Sequence, residues 1–308
     1  MFIIYTGRLL SQHNVYIKNS NQQTQNKLYP SKIIIYYEEM LYYLIMRKRN
    51  FLFIGIIALL IGLLFVLDFR NITPPYTDTI ESFEYNGLTI PKYDGNMSRI
   101  INNNIPLFTD DEILYATNNT YEYYGSLDEL GRCTYAMASL NKSLQPKNKR
   151  GSIKDIHPTG WNQVYYDFLD GDGHIYERSH LLAYMFTGVD NENEKKEYAE
   201  RNLITGTQYF NSGPDEESGM VVYENLVYDY MCEHPNTNVL YRVTPIFQGN
   251  NLLASGVLME AKSLMNNDIQ FCVFIYNAQP NIQIDYATGK TLPLYSDFIN
   301  FFISLFRY

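Results

Sequence analysis

The sequence predicts an α+β domain on a central antiparallel sheet, preceded by one transmembrane helix. Three observations lead there. Residues 238–247, 252–260 and 270–276 are short runs rich in Val, Ile, Tyr and Phe, separated by Gly, Asn and Asp turns, as consecutive antiparallel strands are. Residues 218–232 set Met220, Tyr223, Leu226, Val227 and Tyr230 at helical spacing. Residues 51–67, FLFIGIIALLIGLLFVL, are seventeen apolar or Gly residues without a charge, the short end of a spanning helix.

Along the chain, Arg47, Lys48 and Arg49 precede the apolar run, and Asp78, Glu81 and Glu84 follow it. The positive-inside rule then puts the amino end in the cytoplasm and everything after about residue 70 outside. No small-residue cleavage site follows, so residues 51–69 read as an uncleaved anchor, with a cleaved signal as the alternative. Met46 opens MRKRNFLFIG, so residues 1–45 read either as a misassigned start or as part of a cytoplasmic tail over 1–50. Residues 70–120, with Pro74 and Pro75, read as a linker and a polar, Asn-rich extension with a strand-like piece at 87–90. Residues 121–294 carry the densest order signals: a short helix at 126–131 with a Ser cap and a Gly stop, a hairpin of 164–169 with 173–176 around the turn DGDG, then the helix and the three strands. FINFFISLF, within residues 295–308, is too short for a second span and reads as a docking helix.

Composition narrows the function classes. Across 308 residues, 46% are apolar and 19% charged, which excludes a largely disordered chain and allows a sizeable core. There is no repeat of solenoid period. Lys plus Arg number 24 against 33 Asp plus Glu, a net charge of -9, so long-range attraction to nucleic acid is not built into the whole chain. A local exception exists: Lys142, Lys147, Lys149, Arg150 and Lys154 fall within residues 141–154, which hold no acid. Lys147, Lys149 and Arg150 are the candidate backbone contacts, and a solvated loop is the alternative. Cys133, Cys232 and Cys272 form no CxxC pair and read as mainly core thiols. Asp170-Gly-Asp172-Gly begins like a calcium loop, but its twelfth position is Leu181 rather than Glu.

The residues suited to chemistry come in order. Glu177-Arg178-Ser179-His180 joins an imidazole that titrates near neutrality to a guanidinium that can grip phosphate with paired hydrogen bonds. Asn202 and Asn211 follow, then Glu224. An Asn carbonyl can bind a hard cation without adding negative charge beside a phosphate. Alone, each has a plainer reading: His180 as a structural residue, the two Asn as turn residues.

Taken in series, ERSHLLAYMFTG, RNLITGTQYFN, VYENLVYDY, NVLYRVTPIFQGNNLLASGVLMEAKS and VFIYNAQPNIQIDYATG resemble the DNA/RNA non-specific endonuclease family. LDELGRCTYAMASL and KRGSIKDIHPTGW upstream fit the same family. The likeness covers about residues 121–293 and is nearest the membrane-anchored DNA-entry type of Gram-positive bacteria. It implies a ββα-metal (His-Me finger) core, in which a hairpin and a helix hold one divalent cation. The family's usual Asp-Arg-Gly-His reads Glu177-Arg178-Ser179-His180 here. His180 maps onto the general base and Asn211 onto the metal ligand. Asn202 maps onto the residue supporting base and water. Glu224 maps onto the carboxylate that binds the ion's hydration water rather than the ion, and Arg178 would sit near phosphate.

What the resemblance implies is Mg²⁺-dependent hydrolysis of DNA and RNA outside the cytoplasmic membrane, with Mn²⁺ as a substitute. It implies further that no covalent intermediate forms and that products carry a 5′-phosphate. The competing readings are a catalytically silent nucleic-acid receptor serving DNA uptake and a secreted nuclease whose anchor is removed. A pure receptor needs none of His180, Asn202, Asn211 and Glu224. An inhibitor protein is not legible in the sequence.

Overall fold

A computed structural model describes residues 80–294, apart from 148, 170, 190–195 and 214–218. The anchor expected at 51–69, the residues before it and the tail at 295–308 lie outside the described residues. In chain order the elements are β1 (Phe83–Tyr85), β2 (Leu88–Ile90), β3 (Ser98–Ile100), α1 (Asp110–Asn118), β4 (Tyr121–Tyr124), β5 (Ala136–Leu140), β6 (Tyr176–His180), α2 (Tyr184–Thr187), α3 (Lys196–Asn202), β7 (Leu203–Thr207), α4 (Gln208–Asn211), α5 (Met220–Glu233), β8 (Val239–Ile246), β9 (Gly256–Ser263), β10 (Gln270–Tyr276), β11 (Ile282–Asp285) and β12 (Lys290–Pro293).

A six-stranded antiparallel sheet in the order β3-β10-β9-β8-β5-β4 forms the centre. Register puts Ala138 opposite Tyr241, Val243 opposite Met259, and Met259 opposite Val273. Because side chains alternate between faces, one face presents Ala136, Ala138, Tyr241, Val243, Val257, Met259, Val273 and Ile275. These pack with Phe186, Phe210, Met220, Val227 and Met231. The other face presents Leu258, Cys272, Phe274 and Tyr276 under Ile80, Ile90 and Ile101, and Met137 and Leu240 under Ala116. Both faces are covered, so β10 reads QFCVFIY, with hardly a polar residue, instead of alternating.

The second cover comes from residues 80–118. β3 pairs along β10 as an edge strand of the sheet. α1 begins with a capping box in which Thr109 Oγ1 accepts from Glu112 N at 3.2 Å and Glu112 Oε2 accepts from Thr109 N at 2.8 Å. What reads in sequence as polar extension is thus packed against the sheet.

Two local expectations change. Residues 126–131 form a turn, not a helix: Asp128 Oδ1 accepts from Leu130 N and Arg132 N at 2.9 and 2.8 Å, and Oδ2 from Arg132 Nε at 2.6 Å. A side chain that captures nearby amides in this way competes with helical bonding. The hairpin expected across 164–176 narrows to one bridge, Tyr165 with His174, because Tyr176 leaves it to begin β6, whose partner is β7. Of the cysteines, Cys133 and Cys272 are buried and Cys232 is exposed.

Candidate active site

β6 and β7 form a separate two-stranded antiparallel unit. Buried polar groups fasten it to its surroundings. Asn277, fully buried, donates Nδ2 to the Thr205 and Ala254 carbonyls at 3.0 and 3.1 Å and accepts from Thr207 N at 3.0 Å. Thr207 Oγ1 donates to the Ala278 carbonyl at 2.6 Å and caps α4 through Phe210 N. One turn later stands Asn211, the last residue of α4. Gly219 has φ +75° and lies so close to the Tyr209 and Phe210 carbonyls that a Cβ would collide with both. Only glycine lets α5 start against the end of α4. That approach carries Glu224 to the same side as Asn211.

The result is a cleft of about 1130 Å³ whose walls include His180, Arg178, Glu177, Asn211, Glu224 and Arg150. Four of the expected residues, His180, Arg178, Asn211 and Glu224, therefore meet in one place, with Arg150 and Lys154 on the basic side. Lys147 and Lys149 are exposed and lie outside the cleft's lining.

Asn202 takes a different position. It is fully buried, donates Nδ2 to the Leu182 carbonyl at 2.9 Å and accepts from Leu182 N at 2.7 Å. Its own carbonyl accepts from Leu181 N at 2.8 Å. It clamps the two residues after His180 and so holds the imidazole's backbone. It does not line the cleft, which makes it a positioning residue.

Arg178 is also engaged. Its Nε donates to the Ile156 carbonyl and Nη2 to the Lys154 carbonyl at 2.6 Å, and the guanidinium lies 4.2 Å over the Trp161 ring. It thereby braces the loop bearing Arg150 and Lys154 while still facing the cleft. Ser179 is buried against Gly206, where a larger residue would strike its Oγ.

Sequence reasoning treated Glu177 only as a departure from Asp and passed over His174. In the structure Asn211 Nδ2 donates to Glu177 Oε2 at 2.5 Å, and His174 Nε2 lies 3.8 Å from Glu177 Oε1. Burial raises the Glu177 carboxyl above its usual range, opposed by the Asn211 bond and the Arg150 charge. Burial also holds the His174 imidazole below its usual range. The signal available in sequence was the spacing of Glu177 and Asn211 around the β6–β7 pair, legible only once their register is known. Glu224 opens toward the cleft yet is closely surrounded by protein, and burial pushes its carboxyl up to about 8. Burial, and the charge of Glu224, hold the hydroxyl of the buried Tyr241 well above its usual range.

The residues present fit a hard divalent cation. With the donor end of the Asn211 amide committed to Glu177, its carbonyl oxygen is the end left to offer a cation. Among the described residues no group of three or more His, Cys, Asp or Glu could hold a metal. A cation here would rest on few protein oxygens and keep waters, as Mg²⁺ prefers.

Residues 112–264 match the sequence profile of a family described as DNA/RNA non-specific endonuclease. A deoxyribonuclease of Streptococcus dysgalactiae subsp. equisimilis is 31% identical over 121 residues, 39% of this chain and 34% of that protein. The match spans about a third of that relative's length. The crystal structure of NucA from Streptococcus agalactiae with magnesium ion bound aligns with a TM-score of 0.54 at 25% identity, covering 74% of this chain and 96% of that one. NucA with no metal bound aligns with a TM-score of 0.53 at 26% identity, over 73% and 95%.

Proposed function

Because residues 112–264 belong to the DNA/RNA non-specific endonuclease family, we propose that this chain is a Mg²⁺-dependent endonuclease hydrolysing phosphodiester bonds of DNA and RNA. The convergence of His180, Asn211 and Glu224 in one cleft with Arg150 and Lys154 carries the reading. β6, β7 and α5 are then the ββα-metal finger.

His180 takes a proton from the water that attacks phosphorus. Asn202 keeps the imidazole in place through its two bonds to Leu182. Glu177 orients the Asn211 amide, so that Asn211 would hold the cation through its carbonyl oxygen. Glu224 accepts hydrogen bonds from water in the cleft. Arg150 and Lys154 draw the phosphate backbone in without reading bases. When bound, Mg²⁺ supplies charge neutralisation at the phosphate and the leaving oxygen.

The apolar run 51–67 behind Arg47, Lys48 and Arg49 supports an anchor that leaves the catalytic domain outside the cytoplasmic membrane. Cell fractionation tests this: a chain found only in the medium, shortened past residue 70, would replace the anchor with a cleaved signal.

The deciding experiment is cleavage of plasmid DNA and a structured RNA by the full chain in mild detergent, with Mg²⁺, with EDTA, and with His180→Ala. The expected result is metal-dependent cutting of both polymers, reduced about 10²–10⁴-fold in the variant. A folded wild type that binds DNA and cuts nothing across several metals would make the chain a receptor instead.

A further inference from the structure

We propose that Tyr165 forms a stacking subsite for an unpaired nucleobase next to the scissile position, so that single-stranded or frayed nucleic acid is held better than closed duplex. The inference rests on the nuclease reading and deepens it.

Of the rings along the cleft, which also include Tyr184, half-buried, Tyr165 is the most exposed. Trp161 has the Arg178 guanidinium 4.2 Å over its ring, and Tyr176 is buried with its hydroxyl donating to the Gly289 carbonyl at 2.9 Å. Tyr165 is 66% exposed and lines the same cleft as His180. An aromatic ring so exposed contributes little to the core, yet its backbone is fixed. It bridges His174, and hydrogen bonds on both sides, Tyr166 N to the Gly173 carbonyl at 2.8 Å and Ile175 N to the Val164 carbonyl at 3.1 Å, tie its segment to the strand entering β6. The ring is therefore presented on a rigid support in the same cleft as Glu177.

The basic side of this cleft, Arg150 and Lys154, grips phosphates of any sequence. A polymer-tolerant site needs base contacts that are equally indifferent, and every base offers a π-face to an aromatic ring. In closed duplex those faces are stacked on one another. Only a base released from its neighbours can lie on Tyr165.

The test is anisotropy of a labelled single strand of about 12 nucleotides, its duplex, and an abasic strand of equal length. Each is titrated with the full chain in detergent and EDTA, as wild type, Tyr165→Ala and Tyr165→Phe. We expect Tyr165→Ala to lower the ratio of single-strand to duplex affinity about tenfold, within the range of one base stacked on a ring. Tyr165→Phe keeps the ratio. Wild type alone discriminates against the abasic strand by a similar factor, a readout that does not depend on any variant folding. An unchanged ratio in Tyr165→Ala, equal damage from Tyr165→Phe, or equal wild-type affinity for normal and abasic strands overturns the subsite. Tyr165-dependent binding without Mg²⁺-dependent cleavage would instead remove the nuclease reading and leave the subsite standing.

Discussion

One side of the central sheet holds a fully buried carboxylate and the other a half-buried carboxyl, and the two are treated in opposite ways. Under residues 80–118, Glu260 is 1% exposed, with Oε2 accepting from Arg242 Nε at 2.8 Å and Oε1 from Leu107 N at 2.6 Å. Arg242 in turn donates Nη1 to Glu112 at 3.0 Å and lies 4.9 Å over the Phe108 ring. That network fastens the amino-terminal cover to β8 and β9. On the side of the cleft, Glu224 has no hydrogen-bond or ionic partner among the described residues, and burial raises its carboxyl to about 8. A buried charge with every oxygen satisfied serves the fold, whereas a half-buried carboxyl without a protein partner on the wall of a cleft is suited to a role in the site.

This contrast can be broken most sharply at Glu224. Glu224→Gln should lower nuclease turnover about 10²–10³-fold, the range for one well-placed polar group in a transition state. Its effect on stability should have the opposite sign. In the metal-free protein Glu224 keeps its proton up to about pH 8, while in the unfolded chain it ionises near the model-peptide value of 4.5. Between those limits the folded state binds more protons, so its stability falls as pH rises. Thermal unfolding in EDTA should then find Glu224→Gln melting several degrees above wild type at pH 8 and level with it near pH 4. A variant that is less stable at pH 8 would mean Glu224 is paired after all.

Glu260→Gln should behave in reverse. Removing one partner of a buried pair costs about 3 kcal/mol, which thermal melts would register as a clear drop, while kcat of the surviving folded protein stays near wild type. Loss of kcat without loss of stability would place Glu260 in the chemistry and dissolve the distinction.

The smallest effect concerns the exposed basic loop. Replacing Lys147, Lys149 and Arg150 by Gln should flatten the plot of log affinity for DNA against log salt by about 2 units, since each phosphate contact contributes roughly 0.7–0.9. An unchanged slope would take the loop out of the nucleic-acid path and leave the cleft wall to Lys154.

Much of the fold was legible because its signals are local. β8, β9 and β10 are dense in β-branched and aromatic residues, and α5 keeps a buried stripe at Met220, Val227, Tyr230 and Met231. β9 starts at Gly256 rather than 252, because residues 252–255 are spent on contacts such as Leu253 N to the Tyr286 carbonyl at 2.9 Å. Of the cover formed by 80–118, only the strand-like piece at 87–90 was legible, and it became β2, paired locally with β1; β3 is three residues long and pairs with β10, far along the chain. At the site, the residue types and their order pointed to His180, Asn211 and Glu224. The bond from Asn211 to Glu177 and the bracing of Lys154 and Ile156 by Arg178 were invisible.

By itself the sequence determined the antiparallel strands, the helix beside them, the apolar run at 51–67 and the set of groups able to do phosphodiester chemistry. These follow from hydrophobic period, β-propensity and side-chain chemistry, each a property of a short stretch. Only the tertiary structure decided which of those groups face the cleft and which hold it: Asn202 turned inward onto Leu182, Asn277 stapling β7, Gly219 letting α5 meet α4, Glu260 paired and Glu224 not. The physical reason is that a buried polar group must find its partner, and that partner is chosen by where distant segments meet in space.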